Sequence, residues 1–203
     1  MLVDVSNSFA PFDQTKSKQI GTVMDALAQH MAKDWSLGAT LSVHPIDAHS
    51  VTADPICPVI EYEGKTLLKP ATSDIRKMVA ICVQAVTGRS QDPAKLSDIR
   101  NSINMAADSF VNIPGRAKVL VVFSDFVDTS LLGSGVPLQS LAGVSVLMFY
   151  GPDKLASNSP DYLKRIDNWV SLFTAAGSTD VHKLSLQTVT AKEVLAQLPN
   201  PRR

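Results

Sequence analysis

Two uninterrupted apolar runs, Lys118–Ser124 (KVLVVFS) and Val144–Tyr150 (VSVLMFY), limit most strongly how this chain folds. A strand with one wet face alternates apolar and polar residues; these runs do not. Both of their faces must be covered, which is the condition of a parallel strand held between helices. Helical spacing surrounds them. Ile20, Val23, Met24, Leu27 and Met31 form one stripe over 15–34, and Ile75, Met78, Val79, Cys82, Val83 and Val86 another over 73–87. Ile99, Ile103, Ala106 and Phe110 mark a helix over 97–111, and Leu163, Ile166, Trp169, Val170 and Phe173 one over 160–176. Residues 190–198 suit a last helix. Gly38, Gly88 and Gly177 stand where helices stop. Shorter β-prone stretches lie at 1–5, 39–46, 59–62 and 181–186, and Pro45 confines the second to an edge or an end. Strands alternating with helices predict a doubly wound, mostly parallel sheet flanked by helices on both faces, a Rossmann-like α/β fold. A length of 203 residues suits a single domain over 1–203.

Composition excludes some functions. The formal net charge is zero, so the basic footprint of a nucleic-acid binder is missing. No stretch has 18 consecutive apolar residues, and no basic-then-apolar leader opens the chain. Cys57 and Cys82 are read as ordinary thiols of a reducing compartment, and together these signs point to the cytoplasm. The first strand has only three residues before Asp4; either the sheet accepts a stub, or the natural start lies upstream.

The chemistry-bearing residues gather at strand ends. In Asp4-Val5-Ser6-Asn7-Ser8 alternate side chains point the same way, so one carboxylate and two hydroxyls converge. Ser124-Asp125 closes the first long apolar run. Ser97-Asp98 opens the helix over 97–111, where a serine serves equally as a cap. In a doubly wound sheet such strand ends share one edge, where ligands bind. Carboxylates and hydroxyls are hard oxygen donors, suited to Mg²⁺ or Mn²⁺.

In this order, around this pattern, these residues resemble the von Willebrand factor type A family with its metal-ion-dependent adhesion site. The resemblance spans nearly the whole chain. It rests on Asp4-x-Ser6-x-Ser8 after the first strand, on Ser97 six residues before Ile103, and on Asp125 after Val-Val-Phe-Ser. It implies Mg²⁺ (or Mn²⁺) held by Asp4, Ser6, Ser8, Ser97 and Asp125, with Asp4 or Asp125 acting through water. It also implies a protein partner whose Asp or Glu carboxylate completes the coordination. The chain departs from the family at three places. Ser97 replaces a Thr, which keeps the oxygen and loses a methyl. Phe126 replaces a Gly, which alters the loop path or sets a ring beside the site. Phe9-Ala10-Pro11 follows the motif where other residues are usual.

The rival from another class is a metal-dependent hydrolase, which needs a general base. His30, His44, His49 and His182 are the only histidines, and each suits a structural or surface role. Ser6 stands where a phosphatase of the haloacid dehalogenase type needs a second Asp. No Gly-x-Ser-x-Gly elbow and no glycine-rich phosphate loop occur. The expectation is a binding module rather than an enzyme, with a degenerate scaffold lacking metal as a further alternative. Trp35 and Trp169 read as packing residues, Asp13, Lys16 and Lys18 as a solvated first helical turn, and Asp98 and Asp128 as caps or tuning charges.

Overall fold

A computed structural model describes residues 1–6, 8–9, 14–34, 39–48, 54–62, 71–89, 94–111, 113, 116–129, 135–151 and 159–199. Trp35, Gly38, His49, Asp13 and Ala10-Pro11 lie outside the described residues. The elements run β1 (Leu2–Asp4), α1 (Gln14–Asp34), β2 (Ala39–Leu41), β3 (His44–Ile46), β4 (Ile60–Tyr62), α2 (Ala71–Arg89) and α3 (Ile99–Val111). Then come β5 (Lys118–Ser124), β6 (Val144–Tyr150), α4 (Pro160–Ala175), β7 (Asp180–Ser185) and α5 (Ala191–Gln197). β5 and β6 keep the bounds of the two apolar runs.

The main sheet has five strands in the order β3-β1-β5-β6-β7, and every pairing in it is parallel. Period-two alternation sorts each strand between two cores. Val3, Val121, Phe123, Leu147 and Phe149 face α1, α2 and α5, whereas Leu2, Leu120, Val122, Val146 and Met148 face α3 and α4. Phe123 and Phe149 stack at 4.9 Å between ring centroids. Each such side chain taken from water stabilises the fold by about 1.5–3 kcal/mol. Both faces being covered is the reason these strands show no polar alternation.

The stretch 39–46 departs from the expectation of one strand. It breaks at Ser42–Val43 into β2 and β3, which serve different sheets. β2 pairs antiparallel with β4 in a separate two-stranded ribbon. β3 pairs with β1 and forms the edge of the main sheet. Pro45 lacks an amide proton, and an edge position asks for none on its outer side. The α3 helix starts at Ile99 rather than at 97, because Asp98 takes the capping role: its Oδ1 accepts from the Asn101 amide at 3.3 Å.

The two cysteines are a second correction. They are not separate thiols: Cys57 and Cys82 form a disulfide between the stretch before β4 and the middle of α2. Sequence separation gave no sign of it, because a separation of 25 positions says nothing about which loop lies on which helix. Disulfides persist in oxidising compartments, so the cytoplasmic expectation loses the support it drew from free thiols. Among the described residues no helix is long and apolar enough to cross a membrane.

Closing a loop of this length constrains the unfolded chain by about 3–4 kcal/mol. A thiol titration of the unfolded, unreduced protein is therefore expected to find no free sulfhydryl. Reduction, or the Cys57→Ser/Cys82→Ser double variant, is expected to lower the denaturation midpoint clearly. Two titratable thiols in the unreduced protein would contradict the pairing.

Candidate metal centre

Strand order reverses between β1 and β5. From β1 the chain moves outward to β3, and from β5 it moves the opposite way to β6 and β7. Loops therefore part above that pair, at the C-terminal edge where α/β sheets bind ligands. The register sets Val3 beside Phe123, which brings the next residues, Asp4 and Ser124, together. Ser124 Oγ donates to Asp4 Oδ2 at 2.6 Å, and Asp125 follows immediately.

The loop after β1 is wound tightly around Asp4. The Ser6 amide donates to Asp4 Oδ1 at 2.9 Å, and the Phe9 amide donates to the Ser6 carbonyl at 3.2 Å. Those turns bring Ser6 Oγ within 3.1 Å of Ser8 Oγ. Ser8 in turn hydrogen-bonds Asp125, whose Oδ1 also accepts from the Val127 amide at 3.0 Å. Asp4, Ser6, Ser8 and Asp125 thus form one connected cluster. Phe9, fully buried, roofs it over Gly151: a Cβ there would meet the Phe9 ring at 3.3 Å, so this close approach asks for glycine.

Ser97 is placed differently. Its hydroxyl donates to the Val127 carbonyl at 2.8 Å and lies 3.4 Å from Thr129 Oγ1, while its amide donates to that same Thr129 oxygen at 2.8 Å. Among the described residues no hydrogen bond joins Ser97 to the other four. What joins them is backbone: Ala94 bridges Ser6, its amide donating to the Val5 carbonyl at 2.9 Å, and Thr129 donates to the Ser97 carbonyl at 3.1 Å. The segment carrying Ser97 is thereby clamped between the loops that follow β1 and β5.

Phe126 turns the loop through a positive φ. Its φ is 59°, the left-handed region that glycine enters freely and a bulky residue enters at a cost of about 1–2 kcal/mol. The conformation is held on every side. Its amide donates to Ser124 Oγ at 2.8 Å, and its carbonyl accepts from Trp169 Nε1 at 3.1 Å. Its ring is buried against the Trp169 ring, 5.8 Å between centroids. The loop keeps a glycine-like turn with a phenylalanine in it. Trp169 is a packing residue, as expected, and also a clamp.

The electrostatics are those of two carboxylates out of water. Burial first, and then the neighbouring Asp125, push the Asp4 carboxyl up to about 7. Burial also raises Asp125, opposed by the Val127 amide, Ser8, Arg165 and Lys16. Lys16 is no solvated side chain: its Nζ donates to the Phe9 carbonyl at 2.6 Å and sits over the Phe9 ring. Among the described residues no three His, Cys, Asp or Glu side chains come together. The donors at hand are carboxylate and hydroxyl oxygens, which fit a hard divalent cation and disfavour a soft one. His44 starts β3, beside Leu2 at the far end of the strands, and His182 lies in β7 at the outer edge of the sheet. His30 is buried within α1.

Sequence reasoning missed four residues here: Ser124 as the partner of Asp4, Thr129 as the clamp on Ser97, and Tyr162 and Arg165, which lie within electrostatic reach of Asp125. Ser124 had a signal, a polar residue ending an apolar run. The others had none, since their relation to the site is made only by the fold.

No family model matches the chain, and no curated protein does. Two solved structures share its fold over nearly its whole length. One is an aerotolerance-related membrane protein from Bacteroides fragilis NCTC 9343 with multiple mutations to serines, at 16% identity and TM-score 0.53, covering 97% of this chain and 95% of that one. The other is a conserved hypothetical protein, BatB, from Bacteroides thetaiotaomicron, at 11% identity and TM-score 0.53, covering 97% of this chain and 94% of that one. At such identities the likeness establishes the Rossmann-like α/β fold.

The Asp4 shift fixes a pH dependence. Between the ordinary value of 3.8 and about 7 the folded protein holds a proton that the unfolded chain releases. The resulting stability is fully present below the ordinary value and is lost as pH rises through about 7. In EDTA the melting temperature is therefore expected to fall between mildly acidic and mildly alkaline pH. The underlying change is on the order of a few kcal/mol. Asp4→Asn, which cannot ionise, is expected to flatten that fall and to melt higher than the parent at alkaline pH. A parent protein whose melting temperature climbs with pH over this range would refute the assignment.

Proposed function

We propose that this chain is a metal-dependent protein-interaction module of the von Willebrand factor type A kind. It takes Mg²⁺ or Mn²⁺ between Asp4, Ser6, Ser8, Ser97 and Asp125. One observation carries the reading: two buried carboxylates meet at the switch point of a parallel sheet, with serine hydroxyls turned into the same cluster. Without a cation, such a pair repels and takes up a proton; a divalent ion removes the repulsion and satisfies the oxygens together. Ser97 fits as the fifth donor because its proton is committed to the Val127 carbonyl, which leaves its lone pairs for a metal. The two carboxylates balance the ion's formal charge, but a Mg²⁺ ion seeks six oxygens and these residues offer one each from five side chains. A partner's Asp or Glu side chain supplies the remaining oxygen.

The module is read as a binder and not as an enzyme, since the placed histidines sit away from the cluster. The buried disulfide supports an oxidising setting for it. Isothermal calorimetry in Mg²⁺ and in Mn²⁺ tests the centre directly. The parent is expected to bind one ion, Asp4→Ala and Asp125→Ala to lose binding, and Ser97→Ala to weaken it by about tenfold or more. Metal uptake by Asp4→Ala equal to that of the parent would falsify the site. Phosphoester turnover abolished by EDTA would favour the hydrolase instead.

A further inference from the structure

The first turn of α1 holds a cation where electrostatics alone would not put one. Lys16 stands at the positive end of the helix dipole, and no acidic residue in that turn offsets it. It also lies within electrostatic reach of Asp125, so its charge opposes the arrival of a metal ion. What the side chain does instead is mechanical. It is partly buried and bends back to a residue seven positions earlier. Its Nζ donates to the Phe9 carbonyl at 2.6 Å and stands 4.5 Å from the centroid of the Phe9 ring. One residue is thus held twice, by a charge-assisted hydrogen bond and by a cation–π contact. Phe9 is the far post of the wound loop, and Asp4, fixed by β1, is the near one. Between them the Ser6 amide donates to Asp4 Oδ1, the Phe9 amide donates to the Ser6 carbonyl, and the Ser6 and Ser8 hydroxyls lie 3.1 Å apart. Burial of the Phe9 ring fixes where this loop ends. It leaves the peptide plane after Phe9 free to turn about its two soft dihedrals, and such a turn is passed back along the chain to Ser8. The Lys16 contact with the carbonyl removes that freedom.

We propose that Lys16 is a positioning residue of the metal centre: by holding the Phe9 carbonyl and ring from α1, it presets the loop that presents Ser6 and Ser8. The role rests on the metal-centre reading and adds to it the device that keeps the two hydroxyls aimed before an ion arrives. The two parts open to this side chain differ in sign. As a charge, Lys16 repels a cation, and removing it tightens metal binding. As a strut, it lowers the cost of ordering the loop, and removing it weakens metal binding.

Calorimetry with Mg²⁺ decides between the signs. Lys16→Met keeps the apolar stem and removes both the charge and the donor. It is expected to bind Mg²⁺ about tenfold more weakly than the parent, as the loss of an outer support of metal ligands does. Lys16→Arg, which can donate to a carbonyl and stack on a ring, is expected to recover the parent affinity to within about threefold. Lys18→Met removes the same charge from an exposed position on the same helix and is expected to change affinity by less than about twofold. Amide exchange in EDTA reads the loop without metal. There Lys16→Met is expected to speed exchange of the Ser6 and Phe9 amides by about tenfold and to leave the β5 and β6 amides at their parent rates. Mg²⁺ affinity in Lys16→Met equal to the parent's or above it, no recovery in Lys16→Arg, an equal loss in Lys18→Met, or loop amides that exchange as in the parent overturns the proposal. So does exchange that rises alike in β5 and β6, which marks a loss of stability at large. A parent that takes up no Mg²⁺ sinks the metal centre and this role with it; Mg²⁺ uptake that ignores Lys16→Met sinks this role alone.

Discussion

The parallel pairing of β1 with β5 is the contact on which the rest of the molecule depends. β1 is three residues long, and alone it could not hold a place in a sheet. It holds one because it is paired on both sides and buried on both faces: Leu2 enters the core under α3 and α4, and Val3 the core under α1 and α2. That fixed position delivers Asp4 to the C-terminal edge beside Ser124 and Asp125. Every later feature of the centre — the wound loop after β1, the clamp on Ser97, the bend at Phe126 — is arranged around a carboxylate whose depth and direction the sheet has already set.

The electrostatic situation that results is unfavourable in itself. Desolvation and mutual repulsion both disfavour ionisation of Asp4, and the hydrogen bonds from Ser124 and from the Ser6 amide offset them only in part. A protein built only for stability would place an apolar residue there, since replacing buried charge by good packing is often neutral or stabilising. On the proposed reading, the tension is that of a cluster awaiting a cation, with which the same oxygens would find their counter-charge.

Much of the architecture was legible because local sequence and tertiary environment asked for the same thing. β5 and β6 are apolar throughout because they are covered on both faces, and the helical stripes are periodic because one side of each helix is buried. The clustering of Asp4, Ser6, Ser8 and Asp125 was legible for a related reason: the first three are near neighbours, and Asp125 follows a strand that had to lie near them. Legibility failed where the deciding contact was distant. Nothing local divides 39–46 at Ser42 and Val43 between two sheets. Nothing local joins Cys57 to Cys82, turns Lys16 back onto Phe9, or brings Tyr162 and Arg165 within electrostatic reach of a residue that precedes them by more than thirty positions. The commitment of the Ser97 hydroxyl to Val127 depends on a loop whose course only the fold defines.

Phe126 gives the centre a mechanical character of its own. A glycine at that bend would act as a hinge, free to sample many shapes. The phenylalanine acts as a rivet: its ring is driven into the core beneath α4, and Trp169 and Ser124 fasten its two peptide groups. Conformational entropy of this loop is thereby surrendered during folding and need not be surrendered again when a ligand arrives, which is the condition for fast and tight capture. The same fastening ties the contour of the centre to the seat of one helix, so a small displacement of α4 along the sheet would be felt at Asp125 without any change in the cluster's own residues.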